Sequence, residues 1–372
     1  MEISSTKYSI RISYHLSSPS LRHLKLSSVF ITMWSVLLTI QCILVALSMT
    51  NHASGQKLNM VSGGPANWRD IIPDKIRLAR AARLSAVMYQ IESKQSIAWG
   101  YSREQLIPTA ILKNSKGVEA AVVVAPSSES IHVVFRGTDG SLVDIGVDLQ
   151  LQAVPYSSSN DGRTFVDGNV HKGFKESLED GEISRQLDIA VQDALAEYPN
   201  YRIEANGHSL GAAQASLYAV HLATTVLPSE EISVITIGQP RVGDQTFMEA
   251  VNAIPNLAIW RMVNRDDIIP RIPLNILLGY YHVGHLIWFT REKGILIYYH
   301  QYGKEGIYEG VDSAAWEIDF SSNPLVAIFN HMPWEYELLV DEIAVPTDFM
   351  TSDGLADTCC FWVGTCLRYC KD

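Results

Sequence analysis

A serine between two glycines stands where a strand-like run changes into a helical run. It lies in the pentapeptide Gly207-His208-Ser209-Leu210-Gly211, which follows a strand-like run at 201–205 and precedes an alanine-rich run to about Ala223. On such a turn the serine hydroxyl projects from the sheet, and a Cβ at either glycine would collide with the strand or the helix. The context predicts a nucleophile elbow formed by Gly207, His208 and Gly211, with Ser209 as the nucleophile of an acyl transfer. The alternative is a surface serine in a glycine-rich turn.

A nucleophilic serine needs a histidine base and an acid that orients it, and α/β-hydrolases supply them in the chain order serine, acid, histidine. The strand-like run 257–263 leads into Asp266 and Asp267, at a strand end where open α/β sheets carry catalytic groups. Either aspartate fits, and a solvated turn is the alternative. The histidines downstream are His282, His285, His300 and His331. The position of His331, beyond the last strand-like run, is the one expected for a base.

Further motifs occur in order along the chain. Residues 133–138 read VVFRGT, residues 170–174 read VHKGF, and residues 237–244 read IGQPRVGD. The pattern N-x-x-D-x-[VI]-P falls on Asn264, Asp267, Ile269 and Pro270, and H-x-x-[WY] falls on His331 and Trp334. Together with the elbow, these motifs resemble the class 3 lipase family from about Asp70 to Asp341.

The resemblance implies an α/β-hydrolase fold of one domain, with a mostly parallel central sheet. It selects Asp267 over Asp266 and His331 as the base, and it makes the segment around His282 non-catalytic. The oxyanion hole would be formed by the backbone N–H groups of Thr138 and Leu210. A lid would follow Thr138, with the apolar residues Leu142, Val143 and Ile145.

The activity implied by the resemblance is hydrolysis of lipid carboxylic esters through an acyl-enzyme, without a cofactor or a metal ion. The lid of several fungal lipases carries a tryptophan, and Asp144 falls near its place here. A feruloyl-type carboxylesterase, a phospholipase or galactolipase, and a catalytically idle lipid-binding module remain alternatives. The expected partner is an ester substrate, at a lipid–water interface if the substrate is a lipid. The sequence does not predict the oligomeric state.

Three regions are predicted. Residues 1–55 combine a basic, serine-rich start with an apolar run from Val29 to Met49, which indicates a secretory signal peptide or an uncleaved signal anchor. The small residues 53–55 favour cleavage, while the full apolar run is long enough to span a bilayer. Translation starts at Met1 or Met33. Residues 56–350 form the lipase-like domain, and residues 351–372 form a cysteine-rich tail. The domain is therefore expected to be secreted, or to lie on the lumenal or extracellular face of a membrane.

The cysteines and the net charge agree with an exported protein. Four of the five cysteines lie in the tail, and two disulfides are expected among them, with a zinc site or free thiols as alternatives: Cys359, Cys360, Cys366 and Cys370. The formal net charge is −11, and residues 1–55 carry four basic side chains against one acidic, so the remainder is more acidic still. Such a charge excludes binding along a nucleic-acid backbone.

Overall fold

The computed structural model describes residues 68–90, 105–138, 152–156, 166–273, 279–289, 295–298 and 324–342. The chain divides into two compact units, Met1–Gly64 and Pro65–Asp372, and all described residues belong to the second unit. Several predicted features lie outside these residues: the apolar run from Val29, the lid candidates Leu142, Val143 and Ile145, His300, and the cysteines Cys359, Cys360, Cys366 and Cys370. In the part of the chain that the structure describes, no helix is both long and apolar enough to cross a membrane.

Ten strands are described. In chain order they are β1 (Ile107–Lys113), β2 (Glu119–Ala125), β3 (Ser130–Phe135), β4 (Ala153–Pro155), β5 (Asn169–His171), β6 (Arg202–His208), β7 (Ile232–Ile237), β8 (Leu257–Asn264), β9 (His285–Phe289) and β10 (Ile295–Tyr298). Eight of them form one sheet in the order β1-β2-β3-β6-β7-β8-β9-β10, and β4 pairs with β5. Strands β3, β6, β7, β8 and β9 run parallel, and the outer pairings are antiparallel.

Seven α-helices accompany the sheet in the described residues. They are α1 (Lys75–Val87), α2 (Lys172–Glu179), α3 (Ile183–Glu197), α4 (Leu210–His221), α5 (Gln245–Asn252), α6 (Pro324–Phe329) and α7 (Pro333–Glu342). Short 3₁₀ turns occupy Trp68–Asp70, Pro126–Ser128, Asp180–Glu182 and Ile269–Arg271, and a π-helical turn at Leu222–Val226 ends the alanine-rich run.

Helices cover both faces of the parallel strands. On one face, α1 packs its buried Leu78 and Ala81 against Ile235 and Trp260 of the sheet and against Leu339 of α7. On the other face, the helix α4 is buried along almost its whole length, because its small alanines allow it to lie close under the central strands. Burial on both faces is typical of parallel sheets with helical crossovers. Because β3, β6, β7 and β8 run parallel, their carboxyl ends meet at one edge of the sheet.

Candidate active site

The elbow serine lies between β6 and α4 with a strained backbone. Ser209 has φ +58° and ψ −125°, a conformation that L-residues rarely adopt. Its N–H donates to the carbonyl of Ile237 at 3.1 Å, which joins the turn to the end of β7. Only 1% of the residue is exposed. The sequence-predicted strand–turn–helix is therefore present at Ser209, with the backbone geometry that a nucleophile elbow requires.

The glycines around Ser209 are required by close backbone packing. A Cβ on Gly207 would overlap the backbone of Gly211, and a Cβ on Gly211 would lie 2.5 Å from the carbonyl oxygen of Phe135 in β3. A Cβ on Gly137, just after β3, would lie 3.2 Å from the Cβ of Ser209. The end of β3 and the elbow are therefore in direct contact.

The two oxyanion candidates adjoin this contact. Thr138 is exposed and follows Gly137 directly. Leu210 is half-buried and is the first residue of α4. Its N–H has no acceptor within the helix, as is general for the first turn. Both backbone N–H groups therefore lie near Ser209: Leu210 follows it directly, and Thr138 follows Gly137, which packs against it.

Asp267 and His331 are brought together although 64 residues separate them. Nδ1 of His331 lies 2.9 Å from Oδ2 of Asp267, and both side chains are buried. Asp267 follows β8, where its N–H donates to the carbonyl of Asn264 at 2.8 Å. His331 lies in the turn between α6 and α7. Because a carboxylate accepts from Nδ1–H, the Nε2 atom of His331 is left as the basic nitrogen.

Gly238 keeps the serine turn and the histidine close. A Cβ on Gly238 would lie 2.8 Å from Cε1 of His331. The backbone N–H of Ser209 donates to the carbonyl of Ile237, the residue before Gly238. The Oγ of Ser209 and the Nε2 of His331 are buried and have no hydrogen-bond partner among the described residues. These are the two atoms between which a nucleophile–base pair transfers a proton.

Tyr336 is a further neighbour of Asp267 that the sequence did not predict. Its hydroxyl donates to Oδ2 of Asp267 at 2.5 Å and accepts from the N–H of Asn264 at 3.0 Å. Burial, with the charge of Asp267 adding to it, raises the pKa of Tyr336 well above its usual value, so the hydroxyl stays protonated. The aromatic residue in the motif match to His331 is Trp334, which is 43% exposed. The apolar spacing of Tyr336, Leu339 and Val340 is the signal for the inward face of α7.

The remaining candidates have other surroundings. Asp266 is 7% exposed, and Asp267 alone of the two is bonded to His331. Nε2 of His282 donates to the carbonyl of Pro270 at 2.7 Å, and the ring of His285 packs on Trp260 with a centroid distance of 4.4 Å. Across the described ranges, no group of three or more His, Cys, Asp or Glu side chains is placed to hold a metal ion.

Comparison with known proteins identifies the family. The family model described as Lipase (class 3) matches residues 132–276. A lipase from Rhizomucor miehei is 35% identical over 173 residues, which cover 46% of this chain and 45% of that protein. The solved propeptide complex of the Rhizomucor miehei lipase is 30% identical, with a TM-score of 0.51, and the match covers 60% of this chain and 70% of that chain. The chain belongs to the class 3 lipase family.

A second solved structure extends the likeness. It is a triacylglycerol lipase whose catalytic centre is formed by a serine protease triad, and it is 26% identical with a TM-score of 0.55 over 69% of this chain and 92% of that chain. This class 3 lipase domain has the α/β-hydrolase fold that its sequence predicts. The chain spans less than half the length, 45%, of the Rhizomucor miehei lipase sequence that it matches.

Proposed function

We propose that this protein is a serine esterase that hydrolyses lipid carboxylic esters through Ser209, His331 and Asp267. The observation that carries the proposal is the 2.9 Å contact of His331 Nδ1 with Asp267, beside an elbow serine whose hydroxyl has no partner among the described residues. A triacylglycerol lipase of similar fold has a serine protease triad at its catalytic centre. The same three residue types occur here in the order that α/β-hydrolases use.

The reaction proceeds in two acyl-transfer steps. Oγ of Ser209 attacks the ester carbonyl carbon while Nε2 of His331 takes the hydroxyl proton. Asp267 accepts from Nδ1–H, holds the ring in that tautomer and stabilises the imidazolium. The tetrahedral intermediate collapses, and the leaving alkoxide takes the proton from His331. Water then attacks the acyl-enzyme with His331 as base, which releases the carboxylic acid and restores Ser209.

The negative charge of each tetrahedral intermediate needs donors placed beforehand. We assign this role to the backbone N–H groups of Leu210 and Thr138, with the Thr138 hydroxyl as a further donor. The support is the packing of Gly137 against Ser209 and the start of α4 at Leu210. Removal of one such donor costs about 3–4 kcal/mol of transition-state stabilisation in other hydrolases.

Labelling with a fluorophosphonate tests the nucleophile. The wild-type protein should be labelled, and Ser209→Ala should abolish both the label and ester hydrolysis, lowering turnover by about 10⁶-fold. Ser216→Ala is a matched control, because it removes a buried serine hydroxyl of α4, about two turns from Ser209, that donates to Gln239 at 2.8 Å. Labelling that survives in Ser209→Ala would refute the assignment. Absence of labelling in the wild type would favour an idle lipid-binding module.

The substrate class rests on the family and on the apolar residues predicted to form a lid. We propose long-chain lipid esters at a lipid–water interface, and we propose that the lid residues Leu142, Val143 and Ile145 offer apolar surface to lipid. Changing all three to serine should reduce hydrolysis of emulsified long-chain esters far more than hydrolysis of dissolved butyrate esters. An equal fall on both would indicate support of the oxyanion hole. Unchanged rates on both would favour a feruloyl-type carboxylesterase.

We also propose that the protein enters the secretory pathway, with a mature chain that begins near Gln56. The basic start and apolar run of residues 1–55 and the four cysteines of the tail support this route. Mass spectrometry of the exported protein should find two disulfides among Cys359, Cys360, Cys366 and Cys370. An intact N-terminus in a membrane fraction would contradict cleavage, and four free thiols would contradict the predicted disulfides.

A further inference from the structure

The histidine of the elbow pentapeptide lies between the base and a tyrosine from a distant part of the chain. Nε2 of His208 is 2.6 Å from the backbone carbonyl oxygen of His331, and Nδ1 is 2.6 Å from the hydroxyl of Tyr89. The rings of His208 and His331 have a centroid distance of 4.5 Å and an interplanar angle of 33°. Only 3% of His208 is exposed. This ring therefore supports both the main chain and the side chain of His331.

The hydrogen-bond partners of His208 determine which ring nitrogen carries the proton. A carbonyl oxygen can only accept, so Nε2 must carry the hydrogen that is donated to His331. Burial, with the charge of His331 adding to it, lowers the pKa of His208 well below its usual value, so the ring is neutral. Nδ1 then has a lone pair, and the Tyr89 hydroxyl donates to it.

The Tyr89 hydroxyl also lies against the end of β3. A Cβ on Gly137, the residue before Thr138, would overlap this hydroxyl. The guanidinium of Arg136 lies over the Tyr89 ring, 5.4 Å from its centroid. A tyrosine just after α1 therefore contacts both the strand end that bears the oxyanion candidate and the ring that supports the base.

We propose that Tyr89 and His208 are a positioning pair: Tyr89 selects the Nε2–H tautomer of His208, and His208 holds the backbone carbonyl and the ring of the base His331. The proposal rests on the proposed role of His331 as the base. Neither side chain need touch the substrate. Without the Tyr89 hydroxyl, the Nδ1–H tautomer of His208 becomes accessible, and its Nε2 lone pair would face the carbonyl oxygen of His331. The base would then lose its support.

A double-mutant cycle on a dissolved short-chain ester tests the pair in the full chain. Tyr89→Phe keeps the ring under Arg136 and should lower kcat about fivefold to tenfold with KM changed less than twofold, as expected for one hydrogen bond. His208→Phe should lower kcat further, and the double variant should match His208→Phe alone, because residues acting through one another are not additive. The matched control is Tyr156→Phe, which removes a buried hydroxyl that donates to the carbonyl of Leu217 at 3.3 Å. It should leave kcat unchanged.

His208→Gln is the more specific test, and it remains informative if His208→Phe does not fold. A glutamine amide can donate to the His331 carbonyl and has no tautomers, so this variant should retain most of the activity and make Tyr89→Phe nearly silent. Additive losses of kcat in either background would overturn the pair, as would a Tyr89→Phe variant that loses thermal stability and keeps full kcat. Ser209→Ala distinguishes failure of the proposed function from failure of the positioning pair. If it remains active, the proposed function fails and the pair with it; if it is inactive, additive losses refute the pair alone.

Discussion

One added methyl group at Gly238 should displace the proposed acid Asp267 and the proposed base His331 from the geometry that the reaction needs. Gly238 follows β7 with φ +61°, and its N–H donates to the carbonyl of Met262 at 3.1 Å. In Gly238→Ala the new Cβ would lie 2.8 Å from Cε1 and 2.9 Å from Nδ1 of His331, and 3.0 Å from Oδ2 of Asp267. The methyl group would therefore press on both partners of the hydrogen bond that orients the imidazole.

The size of the effect follows from these distances. Because carbon atoms in ordinary contact are about 3.5–4.0 Å apart, the imidazole of His331 must retreat by roughly 0.7 Å or more. A displacement of about 1 Å at a reacting group can lower the rate by about 10²-fold. We expect a fall in kcat of about 30-fold to 100-fold. The left-handed backbone of an alanine at position 238 should also lower the free energy of unfolding by about 1–2 kcal/mol.

A second glycine separates the backbone effect from the contact. Gly117 has φ +77°, and a Cβ there would have no atom within 4 Å. Gly117→Ala should therefore show a similar loss of stability with unchanged kcat. The assay is kcat on a dissolved butyrate ester, with the free energy of unfolding from urea titration. If Gly238→Ala is folded and its kcat lies within threefold of that of Gly117→Ala, the reasoning from the contact with His331 is refuted.

Other perturbations test the residues around the hydrogen bond between Asp267 and His331, and one buried histidine, His171. Asp267→Asn should lower kcat by about 10⁴-fold through the wrong histidine tautomer, and Asp266→Asn far less; the reverse ranking would move the acid to Asp266. Tyr336→Phe should lower kcat about tenfold through the lost bond to the carboxylate, and an unchanged rate in a folded variant would contradict this role. Burial lowers the pKa of His171 from its usual 6.5 to about 4, so between these values the unfolded chain binds a proton that the folded chain does not. Stability should fall as the pH drops from 6.5 to 4, by about 3 kcal/mol from this group, and urea titrations at pH 7 and pH 4.5 should show a smaller fall for His171→Phe. Equal falls in both proteins would exclude the contribution.

The sequence predicted those parts of the candidate site that follow from chain order and local motifs. The elbow at Ser209 is one, because glycine spacing and the change from strand to helix are local properties. The contact between Asp267 and His331 is another, because the family motif selected this aspartate and this histidine. The α/β-hydrolase fold was also predicted correctly, because the ordered family motifs imply it.

Contacts that depend on helix rotation and on distant packing were not predicted. Residues on an α-helix are about 100° apart, so two positions separated by two residues point to nearly opposite sides. In α7 this turns Trp334 outward and Tyr336 inward to the acid. The motif pattern accepts tryptophan or tyrosine at position 334, and it does not show which side of the helix each residue faces. Tyr89 lies 119 residues from His208, and no sequence periodicity connects them.

The proposed base His331 is held in position differently from the proposed nucleophile Ser209 and the proposed acid Asp267. Ser209, Gly238 and Asp267 follow three neighbouring parallel strands, so the hydrogen bonds of the sheet determine their mutual positions. His331 lies on no strand; its turn is held by packing of α7 against α1 and β8, and by side-chain bonds to its backbone. Asn264, the last residue of β8, donates its side-chain amide to the carbonyl of Asn330, next to His331, at 2.9 Å. Because every one of these contacts is tertiary, the orientation of His331 should depend more on distant substitutions than the position of Ser209 does.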